Sequence, residues 1–96
     1  MVVGVCTVSF VIPRSMSLKE KRRVVRSAIA RMRNRFNVAV AEVDWLDSRN
    51  AAVIGIVCVS NNANYARGIL DRAVEWLMRE RLDVQIDDVN IEVEVW

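Results

Sequence analysis

Histidine is missing altogether from this chain of 96 residues. Its absence removes the commonest general base and the commonest metal ligand. It also removes every Ser-His or Cys-His arrangement for nucleophilic catalysis. Glycine is scarce, and Gly4, Gly55 and Gly68 stand alone, so no glycine-rich loop exists to cradle a phosphate. Two cysteines, Cys6 and Cys58, sit within apolar runs and lack metal-ligand spacing. They read as small buried hydrophobes in a reducing cytoplasm rather than as a disulfide. No apolar run approaches the ~18–20 residues of a membrane span. Met1–Ile12 is apolar, but it has neither a basic flank nor a small-residue cleavage site, so it does not read as a signal peptide. These absences point to a cytoplasmic, non-enzymatic protein without cofactor or membrane. Glu42, Asp44 and Asp47 form the only acidic cluster able to hold a hard cation or support a carboxylate mechanism. Glu42 and Asp44 are expected to share a strand face beside a turn holding Asp47, where guarding a sheet edge is the preferred role.

What is present is 53% hydrophobic residues, enough for one core, and a net charge of only +2. The charge is unevenly spread. Residues 1–50 carry ten Lys/Arg against four Asp/Glu, whereas residues 51–96 carry four against eight.

Met1–Ile12 is β-branched and extended, and Pro13 ends it. Ser17 followed by Glu20 is a capping box opening a helix that runs to about residue 35. Leu18, Val25, Ile29, Met32 and Phe36 recur there at helical spacing. A strand over 37–46, a turn at Asp47–Asn50 and a strand over Ala51–Ser60 follow. Ser60-Asn61-Asn62 offers cap chemistry to a second helix, whose buried face is Ala66, Ile69, Leu70, Ala73 and Leu77. Finally Val89, Ile91, Val93 and Val95 alternate with Asn90, Glu92 and Glu94, a strand with one wet face. No linker or repeat divides the chain, so residues 1–96 read as a single domain. Two β-α-β halves predict a ferredoxin-like α+β sandwich of βαββαβ order. Its four-stranded antiparallel sheet carries both helices on one face, with the first and third strands central.

In that arrangement the helices cover Cys6, Val8, Phe10, Ile54, Ile56 and Cys58. The opposite face holds Val3, Val5, Thr7, Ser9 and Val11, then Val53, Val57 and Val59, with Val38 and Val40 beside them. Such a valine surface predicts a two-fold homodimer through the sheet face, the alternative being that long side chains and the termini cover it within the monomer. It carries no aromatic platform. The third strand has none, and Phe10 points to the core, so bases cannot stack there as they do on RNA-recognition sheets.

Nine of the fourteen cations fall between residues 14 and 35. At about 100° and ~1.5 Å per residue, Lys19, Arg22, Arg23, Arg26 and Arg33 share one arc about 21 Å long. Lys19, Lys21, Arg22 and Arg23 crowd the helix N-terminus, which prefers acids. An anion docked there, with Arg14 and Ser15 in reach, would offset them. The nucleic-acid or anion site is therefore placed at Arg14, Lys19, Lys21, Arg22, Arg23, Arg26 and Arg33. Competing explanations are a merely solvated face, or pairing with the acidic strand of a partner chain.

Four segments, Ser17-Leu18-Lys19-Glu20-Lys21-Arg22-Arg23, Arg33-Asn34-Arg35-Phe36-Asn37-Val38, Ala41-Glu42-Val43-Asp44 and Val59-Ser60-Asn61-Asn62-Ala63, together resemble the YlxP-like bacterial proteins, a domain family of unknown function. The resemblance runs over nearly the whole chain. It implies a ferredoxin-like fold, a cytoplasmic bacterial protein, and a gene often placed beside those for translation and ribosome-maturation factors. It carries over no catalytic residue. Family members often have a Trp and then a basic residue after the second acidic position. Here Arg49 and Ala51 stand there, so a partner site at this turn would be used differently. The leading expectation is a non-enzymatic RNA- or ribosome-associated module; the alternative is a self-associating scaffold or a small-ligand or protein-interaction domain.

Overall fold

The computed structural model describes residues 1–96. Its elements are β1 (Val2–Val11), α1 (Leu18–Arg35), β2 (Ala39–Asp44), β3 (Ala51–Ser60), α2 (Ala63–Glu80) and β4 (Gln85–Val95). They form one antiparallel sheet of order β2-β3-β1-β4, a ferredoxin-like α+β fold with β1 and β3 at its centre. The β1–β3 ladder runs unbroken from Val2↔Ser60 to Val11↔Ala51.

Both helices start on side-chain caps. Ser17 Oγ accepts from the Glu20 N–H at 3.1 Å, and Asn62 Oδ1 accepts from the Tyr65 N–H at 2.9 Å. Each satisfies a donor that has no partner inside its helix. The core lies between the helices and one sheet face. Cys6, Val8, Phe10, Ile54, Ile56 and Cys58 are buried there, as the alternation predicts, against Val25, Ala28 and Met32 of α1 and Leu70, Ala73 and Leu77 of α2. Phe36, at the C-cap of α1, meets Trp76 of α2 edge to face, with ring centroids 6.4 Å apart. Both cysteines are free and buried, and burial raises the Cys6 thiol to about 11, with Asp71 adding to the shift. Burial thus favours the protonated thiol.

The outer sheet face is lined by Val3, Val5, Val11, Val53, Val57 and Val59, with Val5 and Val59 the most exposed of them. Val38 and Val40 are not part of it. Val40 pairs with Ile56 and is 3% exposed, and Val38 packs against the same core. The outward residues of β2 are instead Ala39 and Ala41, opposite Val57 and Gly55, and Val43, whose side chain lies over Gly55. Along the other border Asp88, Glu92 and Glu94 stand opposite Ser9, Val5 and Val3, so the valine face has an acidic margin.

Candidate functional site

α1 and β2 run antiparallel along one border of the molecule, and two side-chain contacts fix how they meet. Near the helix start, Lys21 reaches the end of β2. Its Nζ donates to Glu42 Oε2 at 2.7 Å, to the carbonyl of Trp45 at 2.9 Å, and more distantly to those of Ala51 and Leu46, at 3.2 and 3.4 Å. Near the helix end, the Arg33 guanidinium donates to the carbonyl of Val40. β2 is an edge strand, and Arg33 covers one of the carbonyls such an edge leaves unpaired.

These contacts revise two of the expected anion ligands. Lys21 is completely buried and cannot touch a ligand. A buried ammonium is tolerable only with a counterion and further acceptors, and Glu42 with the hairpin carbonyls supplies both. The sequence carries the signal, since Lys21 lies between Leu18 and Val25 at the spacing of the apolar stripe. Arg33 remains exposed, but its guanidinium is already engaged at the strand edge.

The remaining cations are different. Arg14, Lys19, Arg22, Arg23, Arg26, Arg31 and Arg35 are all exposed. None makes an ion pair, because the three salt bridges of the protein are Lys21–Glu42, Arg79–Glu80 and Arg81–Asp83. Lys19, Arg22, Arg23 and Arg26 fall on the arc whose far end is Arg33, so the unpaired charge lies along the β2 border. The helix N-terminus is partly closed. Glu20 Oε2 accepts from the Met16 N–H at 2.6 Å, which sets a carboxylate where a bound anion was expected. Ser15 Oγ donates to the carbonyls of Arg49 and Ser17 and ties the helix entrance to the β2–β3 turn. A polar cleft of about 450 Å³ lies between Ser15–Met16 and residues 47–50.

The acidic cluster does not assemble. The β2–β3 register shifts between Glu42 and Asp44, so Glu42 stands opposite Ile54 on the helix side and Asp44 opposite Val53 on the outer side. A bulge inserts one residue and reverses strand parity. Glu42 is Lys21's counterion, Asp44 Oδ1 accepts from the Trp45 N–H at 2.8 Å, and no three acidic or cysteine side chains converge to hold a metal.

Trp45 was not anticipated. It is the only non-glycine residue with positive φ, 57°, a conformation costing ~1–2 kcal/mol for an L-residue with a side chain. The residue is 46% exposed at the hairpin tip, beside exposed Val43 and Leu46. The Trp45 carbonyl is held by the Lys21 ammonium and by the Ser48 N–H at 3.0 Å. The hairpin is thus braced from beneath while it presents an indole outward.

Residues 3–91 match the model of a family described as "Protein of unknown function (DUF503)". The chain belongs to this family. It is also similar to "Uncharacterized protein YlxP" of Bacillus subtilis (strain 168), with 29% identity over 75 residues, which make up 78% of this chain and 82% of that protein. Membership agrees with the resemblance read from the sequence and assigns no activity. No helix is long and apolar enough to cross a membrane.

Proposed function

We propose that this DUF503 protein is a non-enzymatic, cytoplasmic RNA-binding or ribosome-associated module that holds phosphates on the exposed arc of α1. One observation carries the reading: Lys19, Arg22, Arg23 and Arg26 stand together without a carboxylate partner. Four adjacent cations left open to water cost self-repulsion, which a polyanion relieves while releasing its counterions. The genomic neighbourhood implied by the YlxP-like resemblance points the same way. Four phosphates neutralised on a single strand give a log-log salt slope of about −3. Arg33, already occupied at Val40, adds little to it. The test is fluorescence anisotropy of a labelled single-stranded RNA over a salt series. The triple variant Lys19→Ala, Arg22→Ala, Arg26→Ala should flatten the slope to about −1 with an unchanged circular dichroism spectrum. An unchanged slope in that variant removes the arc from the reading.

A second reading concerns the valine face and is favoured by the outward placement of Val3, Val5, Val57 and Val59 with acidic residues along one margin. Here the protein is a two-fold dimer packed sheet on sheet. A two-fold axis parallel to the strands sets each β4 over the partner's β2, whereas a perpendicular axis would oppose Glu92 and Glu94 to their own copies. Sedimentation at micromolar concentration should give twice the monomer mass for the native chain and the monomer mass for Val59→Glu. A native monomer would dismiss it.

A further inference from the structure

Trp45 is costly where it stands. Its backbone is in the left-handed region, which Gly or Asn occupies far more readily. The residue is 46% exposed and lies outside the hydrophobic core, so core packing does not repay the conformation. Strained non-glycine backbone persists where the surroundings enforce it, and it concentrates at functional positions. Here the enforcing group is identified: the buried ammonium of Lys21 grips the Trp45 carbonyl at 2.9 Å.

The position of the indole matters as much as its strain. Lys21 places the hairpin tip against the first turns of α1, and Arg33 places the far end of α1 against the middle of β2. Lys19 and Arg22 stand on the same first turns of α1 as Lys21, so the start of the unpaired arc lies near the hairpin tip that carries Trp45. Arg49 belongs to the same β2–β3 turn and Arg14 to the helix entrance that Ser15 ties to it, both exposed and unpaired. Two carboxylates belong to the tip itself, Asp44 and Asp47. The first is turned back to the Trp45 N–H, and the cations outnumber them. A track of cations terminating in an exposed aromatic is the arrangement by which single strands are held: phosphates on the track, a base on the ring. A duplex has no free base face to offer.

We propose that the Trp45 indole stacks on an unpaired base of single-stranded RNA whose phosphates lie on the α1 arc. The inference rests on the polyanion reading above and adds to it the substrate class and the ring that selects it. Trp45 is then a binding residue, and Lys21 is a positioning residue that fixes the angle of the hairpin.

The test measures binding of a labelled oligouridylate and of an RNA duplex of equal length by the native chain and by Trp45→Ala, Trp45→Phe and Trp45→Asn. Loss of one base–aromatic stack lowers affinity about tenfold. Trp45→Ala and Trp45→Asn should show that loss on the single strand and none on the duplex, with the salt slope unchanged because no cation is lost. Trp45→Phe should recover most of it. Trp45→Asn suits the left-handed backbone, so it should melt no lower than the native chain, which separates lost stacking from lost folding. Native single-strand affinity in Trp45→Ala and Trp45→Asn, with the triple cation variant still defective, overturns the stacking and leaves the arc in place. Failure of the native chain to bind either RNA overturns both.

Discussion

Replacing Lys21 by methionine keeps most of the side-chain volume and removes only the ammonium. Four acceptors lose their donor, the carbonyl of Leu46 at 3.4 Å being the most distant. Glu42, whose side chain is 15% exposed, loses the counterion 2.7 Å away; the carbonyls of Trp45 and Ala51 lose donors at 2.9 and 3.2 Å. Breaking a buried ion pair by removing one partner costs about 3–5 kcal/mol. The residual exposure of Glu42 and the access of water to the hairpin tip argue for the lower end, about 3 kcal/mol. For a domain of this length each kcal/mol moves the midpoint by about 4–8 °C, so Tm should fall by about 12–24 °C. The double variant Lys21→Met, Glu42→Leu removes both charges and should recover most of the loss, because replacing a whole buried pair with apolar groups is often neutral. Urea unfolding of the native chain, both single variants and the double variant completes the cycle, and a coupling energy of about 2 kcal/mol is expected. A Lys21→Met protein within about 0.5 kcal/mol of native, the scatter of ordinary surface substitutions, would refute the claim that this ammonium braces the hairpin.

Other outcomes follow from the same geometry. Gly4→Ala would bring a Cβ to 2.9 Å from both Cys58 Sγ and Leu70 Cδ1, so urea denaturation should show a loss of about 1–3 kcal/mol. Gly68→Ala, within α2, meets only the mobile end of Arg72 at 3.3 Å and should gain up to about 1 kcal/mol from helix propensity. The Cys6 thiol is raised from 9.0 to about 11. Its contribution is fully present below pH 9, where both states are protonated. It is lost as pH rises from 9 to about 11, because only the unfolded chain releases the proton. The urea midpoint should fall across that window, and less steeply in Cys6→Ala; an equal slope would acquit the cysteine.

The fold was legible because its local signals agree with one another. The Ser17–Glu20 and Asn62 caps, the alternation along β4 and the apolar centres of β1 and β3 all point to one topology and recur in the structure, except that the alternation stops at Val93 and Val95 at the strand end is exposed. β4 begins at Gln85, earlier than its alternation suggests, because the register slips beside Asp88 and breaks the period. A similar slip in β2 separates Glu42 from Asp44, and nothing in the residue types announces it. β2 is apolar on both parities, through Val38 and Val40 on one and Ala39, Ala41 and Val43 on the other, so only its register against β3 decides that Val40 faces the core. At the candidate site the basic arc can be read from helical spacing, yet two of the expected anion ligands, Arg33 of the arc and Lys21 of the helix start, have other duties. Lys21 was betrayed by its place in the apolar stripe. Arg33 was not, since capping the carbonyl of Val40 depends on how α1 lies against β2. The strain at Trp45 is a property of the turn rather than of the tryptophan, and turn geometry is invisible in a tip that contains no glycine.

The most direct test of the account is the salt dependence of single-stranded RNA binding by the native chain beside the Lys19→Ala, Arg22→Ala, Arg26→Ala variant. A slope of about −3 falling to about −1 is the predicted result. Equal slopes for the two proteins, or no binding by the native chain at low salt, would mean that the open cations of α1 serve something other than phosphate.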